Sequence, residues 1–369
     1  MKRISLFLLL FLLLKATVMY SQDGHPETNF RIVPVSPNAA SLGTFGMIPT
    51  DNYVGQANLT IPIYEIDLDG KKFPIALSYH TDGTRVAQEA TWIGLGWTLQ
   101  AGGCVVRQVQ GTDDFAARGC YNLTDAPWLT NPRFEVTDQN LEKYMGYFKG
   151  DYDAEPDMFY FNAGGHSGSM YFDVLKNNRQ LNAVPTIQTQ EKVVKMVYNT
   201  SNKTWTMTDL EGYVYSFSTK EITYYFLNTI DFFQTDITRS HIFPYYNEPQ
   251  IVTAWMLDSV TSPNGGKITF SYKKESIFTP ISTTEDVISL SKIVNGQLSS
   301  QSPQYFTNKF NYNYSYSKIE QWTLSAITFE GGKVEFGTTD REDIESAETG
   351  KKVQKLSSIK VSDTAGNLI

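Results

Sequence analysis

Three observations predict a mainly β protein, made of antiparallel hairpins that form an extended curved sheet or a sandwich. The 369-residue chain holds 22 Tyr, 22 Phe and 6 Trp, side chains that suit a pleated, half-buried surface. Apolar residues alternate with polar ones over short segments instead of recurring every three or four positions. Glycines punctuate the joints between these segments, where turns need unusual backbone angles. The expected exception is one short helix near 138–148.

The amino terminus reads as an address. Lys2 and Arg3 precede an apolar run from Ile4 to Leu14, and small or polar residues follow at Ser21 and Gln22, the layout of a signal peptide over 1–21. The run is shorter than the ~20 residues needed to cross a bilayer, so cleavage and export to the periplasm, cell surface or extracellular space are expected, with no membrane span afterwards. Losing Lys2, Arg3 and Lys15 removes three positive charges and moves the formal charge from −8 to −11. A chain this acidic, without clustered Lys and Arg, repels polyphosphates, which excludes nucleic acid as an expected partner.

After a leader over 22–35, the first hairpin is expected between Tyr53 and Tyr79. Leu59, Ile61 and Ile63 alternate on one strand and Ile75, Leu77 and Tyr79 on the other, around Asp69-Gly70. Pro62 and Pro74 donate no ladder bond and belong at edges or strand ends. Further hairpins follow at Asp157–Phe161 with Gly168–Phe172, and at Trp205–Asp209 with Gly212–Phe217. Asp138 caps the helix candidate, in which Leu141, Tyr144, Met145 and Phe148 share a face. In the last third Leu257, Val260, Gly265-Gly266-Lys267, Ile268 and Phe270 are echoed by Leu324, Ile327, Gly331-Gly332-Lys333, Val334 and Phe336. A third copy starts at Leu356 and Ile359 and turns at Gly366-Asn367. Unequal spacing between copies argues for stacked hairpins, with an irregular insertion over 273–321, and not for a strict solenoid. The chain stops inside the third copy, which reads as the front portion of something longer or a truncated product. The expected division is a β domain over 36–220 and a hairpin-repeat region over 221–369.

Candidate chemistry is sparse. Trp92-Ile-Gly94-Leu-Gly96-Trp97 places two indoles around a tight bend, read first as a packed sheet corner and second as an aromatic platform for sugars. Asp151, Asp153, Glu155 and Asp157 alternate as calcium ligands can, but Pro156 and Asn162 stand where a helix-loop-helix calcium loop needs Gly and Glu; an acidic loop is the preferred reading. Gly164–Ser169 lacks the last glycine of a nucleophile elbow and reads as a hairpin loop. His25, His80, His166 and His241 show no metal spacing, and neither a metal nor a cofactor is expected. Asp113, Asp114, Glu89 and Asp209 are eligible as a glycosidase carboxylate pair, with nothing in the sequence to bring two together. For Cys104 and Cys120 two readings stand level, a disulfide worth about 3 kcal/mol or two separate buried thiols. Sequons at Asn58, Asn122, Asn199, Asn202 and Asn313 arise easily in a Thr- and Asn-rich chain.

Taken together, Ser36-Pro-Asn-Ala-Ala-Ser-Leu-Gly43, Leu77-Ser-Tyr-His80, the run from Trp92 through Gly94, Gly96 and Trp97 to Gly102-Gly103, then Arg107 and Gly111-Thr-Asp-Asp114 resemble the amino-terminal region of bacterial secreted Rhs/YD-repeat proteins. The resemblance runs from about Val33 onward. It implies a spiralling β shell that encloses or presents a carboxy-terminal effector, often a toxin. This portion would then be scaffold without catalytic activity, partnered by the downstream polypeptide or that effector. No YD-rich array, self-cleavage core or effector is present in these 369 residues. The rival readings are a surface carbohydrate-binding or adhesive module, with glycans as partners, and a polysaccharide hydrolase.

Overall fold

The computed structural model describes residues 35–39, 42, 58–80, 86, 88–116, 119–122, 141, 145–146, 153, 155–173, 182–188, 194–230, 250–289, 293–294, 297–298 and 308–369. The signal peptide, the leader up to 34, and Asp138, Tyr144, Phe148 and Asp151 lie outside them. Within the expected helix, 141, 145 and 146 are described and are helical.

Strands dominate, as the composition and alternation require. They are β1 (Asn58–Leu68), β2 (Lys71–His80), β3 (Trp97–Gln100), β4 (Gly103–Gln108), β5 (Met158–Ala163), β6 (His166–Tyr171), β7 (Asn182–Ala183), β8 (Thr186–Ile187), β9 (Val194–Asn199) and β10 (Thr204–Asp209). Next come β11 (Val214–Ile230), β12 (Ile251–Thr261), β13 (Lys267–Phe278), β14 (Ser282–Ser289), β15 (Ile293–Val294), β16 (Gln297–Leu298), β17 (Asn308–Phe329), β18 (Gly332–Asp340) and β19 (Gln354–Asp363). The strand pairings given by these residues are all antiparallel, and a 14-stranded sheet is faced by a three-stranded one, β1-β2-β3.

The hairpins read from turn chemistry are present. Asp69 (φ 51°) and Gly70 (φ 91°) close β1 onto β2, the pair of positive angles that a two-residue turn matched to strand twist demands. Pro62 sits at the bulge in β1, an edge strand, and Pro74 lies outside the stretch of β2 that pairs with β3. β5 and β6, β10 and β11, β12 and β13, and β17 and β18 are the other expected hairpins. The described residues of the stretch 273–321, expected to be irregular, are largely regular: they complete β13, contain β14 and supply the first half of β17. The division at 220/221 falls inside β11, and strands from both sides of it share the large sheet.

Long strands change partners along their length. β17 pairs with β14, then β11, then β13 and finally β18. β12 and β13 are paired over only three positions, Ser259–Thr261 with Lys267–Thr269, and then diverge. β4 takes up the edge of β12 beyond that point. Because β12 also pairs with β11, and β11 with β17, the strands β11, β17, β13 and β12 form a closed circuit of hydrogen bonding.

Pleating sends neighbouring side chains to opposite faces. Val105, Trp255 and Leu257 enter the main core between the two sheets, where Ile66, Ile75, Leu99, Phe159 and Ile268 meet them. Cys104, Val106, Ala254 and Met256 enter a small cluster on the other face, around fully buried Ala39. Ala39 belongs to the Ser36–Gly43 motif, whose described residues, Ser36–Ala39 and Leu42, pack where β12 and β13 part. Its Ser36 Oγ accepts from Ala39 N at 3.1 Å, an amino-terminal cap on the helical residues 37–39. Ser36 N donates to Glu221 Oε1 on β11 at 2.7 Å, and Asn38 Nδ2 to Gln321 Oε1 on β17 at 3.4 Å. Tyr272 of β13 and Trp322 of β17 pack on the same cluster.

Replacing Ala39 with Leu should overfill this space and cost about 1–3 kcal/mol in urea unfolding. Leu210→Ser, at a residue 79% exposed, should stay within about 0.5 kcal/mol.

Candidate functional site

The sequence-selected residues gather into two buried assemblies. The first is the corner from Thr91 to Gly103. Gly94 (φ 146°) and Gly96 (φ 76°) supply backbone angles that side chains disfavour, and Trp97 N donates to Gly94 O at 3.2 Å across the bend. Thr91 Oγ1 organises it by donating to the Trp97 carbonyl at 2.9 Å and accepting from Ile93 N at 3.3 Å. Trp92 is buried, edge-on to Phe336 with ring centroids 6.3 Å apart. Trp97 is half-buried and packs on Tyr79 at 5.2 Å. At Gly103 a Cβ would overlap the Asn162 carbonyl oxygen and the Ala163 Cβ, so β4 and β5 can approach only with glycine there. Gly102 turns the chain into β4 with φ 97°.

Distant residues clamp this corner. Trp92 N donates to Asn38 Oδ1 at 2.8 Å, which joins the two motifs directly. Arg341, buried and paired with Asp343, donates to the carbonyls of Thr91 and Ala90, each at 3.2 Å. Leu356 N, on β19, donates to Trp92 O at 2.8 Å.

The second assembly surrounds Arg107. Its guanidinium lies over Phe115 and Phe159, 5.4 and 5.6 Å from the ring centroids. Nε donates to Asp157 Oδ2 at 2.8 Å, and Nη2 donates to Asp157 and, at 2.5 Å, to Asp113 Oδ1. Asp157 Oδ1 also accepts from Gln110 N at 2.7 Å. Asp114 and Asp157 are locked reciprocally: Asp114 N donates to Asp157 Oδ2 at 3.1 Å and Asp157 N to Asp114 Oδ2 at 3.0 Å. Asp153 accepts from Thr112 N and Glu155 N at 2.8 and 2.9 Å. Asp153, Glu155 and Asp157 of the alternating acids and the Gly111–Asp114 stretch are therefore one cluster, which ties the loop after β4 to the entry of β5. Their oxygens are largely taken up by backbone N–H groups and by Arg107, and no group of three or more ligating side chains among the described residues is placed to hold a metal.

One guanidinium cannot neutralise this many carboxylates. Although burial opposes it, the Arg107 charge holds Asp113 below the usual carboxylate range. Asp114 has no cation of its own, and its Oδ1 is buried without a partner. Burial, and then the neighbouring Asp157 charge, pushes its carboxyl up to about 8. Burial likewise pushes Asp153 up to about 6.

The remaining candidates lie elsewhere. Asp209 pairs with Lys71 Nζ at 2.5 Å and accepts from the Tyr215 hydroxyl at 3.1 Å; His166 Nε2 is 3.7 Å from it, at the start of β6. Of the loop expected over Gly164–Ser169, only Gly164-Gly165 form the turn and the rest is strand. Glu89 feels the charges of Arg341 and Asp343. The four eligible carboxylates thus occupy three separate environments. Cys104 and Cys120 are both buried and unbonded. Cys104 faces the Ala39 cluster, and Cys120 lies near the Arg107-side acids, Asp114 foremost; burial pushes both thiols up. Glu221, Gln321, Thr91 and Arg341 were not among the sequence candidates. An acid or amide alternating with β-strand apolars, as at Glu221 and Gln321, was the available signal, whereas nothing local marks Thr91 or Arg341.

No protein-family profile matches the chain, and no curated protein matches it. Among solved structures it is similar to a chain of a TcdB2-TccC3-Cdc42 complex, at 11% identity over 84% of this chain and 13% of that one, with a TM-score of 0.38. It is also similar to a TcdB2-TccC3-TEV chain (10% identity, 93% and 14% covered, TM-score 0.35). A third is from the Photorhabdus luminescens Tc holotoxin pore (10% identity, 89% and 13% covered, TM-score 0.34). The chain spans less than one sixth of the length of each of these.

Two outcomes are expected. Removing the cation with Arg107→Met leaves buried Asp157 unpaired and should cost about 3–5 kcal/mol in chemical denaturation. Asp114 keeps its proton in the folded state after the unfolded chain has lost it, so its contribution to stability is complete below about pH 4 and declines as pH rises toward 8. Melting curves of Asp114→Asn should lack that decline and lie above wild type at pH 8, with little difference at pH 4.

Proposed function

We propose that this chain is the exported structural portion of an Rhs/YD-repeat-type protein, a β scaffold that presents or encloses a downstream effector and has no catalytic activity of its own. One observation carries this reading. The described residues of the Ser36–Gly43 stretch, the Trp92–Gly103 corner and the Arg107–Asp114 stretch, which carry the resemblance, serve as braces inside a self-closing sheet. Ser36, Asn38, Trp92, Arg107 and Asp114 are all buried, and the partners they engage are other parts of the fold. A residue whose chemistry is consumed by its own framework is poorly placed to act on a substrate. Among the described residues the only ladder β19 makes is with β18. Its other edge is met at Leu356 by the Trp92 carbonyl and at Val361 and Ser362 by residues 368–369, and the stretch between offers ladder groups to a further strand. The expected partners are the downstream part of the same polypeptide and an effector, at the cell surface or outside the cell.

A carbohydrate-binding reading rests on Trp97 and Tyr79, half-buried beside Leu59 and Ile61, which are 51% and 43% exposed. Glycan arrays and polysaccharide panels separate the two. The scaffold reading expects no specific glycan bound and no polysaccharide cleaved, and electron microscopy of the complete gene product should show a hollow shell. A glycan signal abolished by Trp97→Ala in a protein with unchanged melting would overturn it.

A further inference from the structure

Between β2–β3 and β13, against the Leu99–Gly103 end of the corner and away from the Arg107 cluster, lies a cavity of about 300 Å³. Its floor is apolar and deep: Ile66, Ile75, Ile268 and Ile327 are each at most 2% exposed. Gln100, Asn162 and Ser167 stand at the rim, between the turn at Ala101-Gly102 and the turn at Gly164-Gly165. Among the described residues lining it none carries a charge. An apolar cavity of about half this volume accommodates a benzene ring, and pockets of about this size at junctions between packed layers are common ligand sites.

We propose that this cavity binds a small neutral amphipathic molecule, with its hydrocarbon part on the isoleucine floor and one hydrogen-bonding group at the Gln100–Asn162–Ser167 rim. The gradient from apolar floor to polar rim fixes the orientation, because a polar group carried to the floor would lose its water without gaining a partner. The uncharged lining fixes the class: a carboxylate or ammonium would be desolvated with no counter-charge. A single ring system or a medium-length alkyl chain with a hydroxyl, ester or amide head meets both demands. Such binding is independent of the scaffold reading, since it depends on the packing of two sheets and not on the polypeptide downstream.

The test uses N-phenyl-1-naphthylamine, a neutral probe that fluoresces when desolvated, on the purified protein. Saturable one-to-one binding is expected, displaced by 1-octanol, with the anionic anilinonaphthalene sulfonate bound at least about tenfold more weakly. Ser167→Trp, at an exposed rim position, should close the mouth and weaken the neutral probe by about tenfold or more. Leu210→Trp adds the same indole away from the cavity and should leave binding unchanged. Should Ser167→Trp melt early, Ala101→Leu on the opposite lip takes its place. Absence of saturable binding, equal binding of the sulfonate, or binding indifferent to a folded rim variant would each overturn the proposal.

Discussion

A sheet whose strands exchange partners along their length must open a gap wherever two of them separate, and filling that gap is the constraint on which this structure rests. β12 and β13 stay together for three residue pairs and then part. Neither water nor vacuum suits the interior of the resulting circuit, since an unfilled space forfeits the contacts of every side chain that lines it. The chain fills it with Ser36–Ala39 and Leu42. A capped turn presents one methyl group, at Ala39, to Cys104, Val106, Ala254 and Met256, while Ser36 and Asn38 hydrogen-bond to β11, β17 and the Trp92 backbone. Small apolar and polar side chains alternate there because the filler must satisfy backbone and side-chain donors as well as occupy volume.

Burying so many polar groups has an electrostatic cost that the fold meets in two ways. Around Arg107 the carboxylates receive backbone N–H groups and one guanidinium, and Asp114 is left as the neutral member. At Glu221, fully buried on β11, burial pushes the carboxyl up to about 6, and Ser36 N and the Thr253 hydroxyl meet one of its oxygens. Apolar replacements of equal volume often match such networks in stability. What the networks add is register, because a slipped strand would strand a carboxylate without its donors.

Much of the architecture was legible because it is local. Asp69-Gly70, Gly164-Gly165 and Gly265-Gly266 announce turns by their own backbone preferences, and the flanking alternation names the strands. The length of β17 was not legible. Its first half reads Asn311-Tyr-Asn-Tyr-Ser-Tyr316, where polar and aromatic residues alternate without an aliphatic face, and the pairing that makes it a strand comes from β11 and β14. Arg107 and Gly103 stood out within their motifs, but the joining of Asp153 and Asp157 to Asp113 and Asp114 depends on how β5 returns to β4. Arg341's role at the corner was out of reach of any pattern, since the carbonyls it clamps lie some 250 positions earlier.

That last distance bears on time as well as space. The corner at Trp92 is held by Asn38 from one side and by Arg341 and Leu356 from the other, so this corner lacks its complete set of contacts until residues 341–356 have emerged from the ribosome. Closure of such remote loops slows collapse and favours an all-or-none transition over sequential assembly. A nascent chain of this kind keeps that corner unlocked until residues some 250 positions later arrive to fasten it.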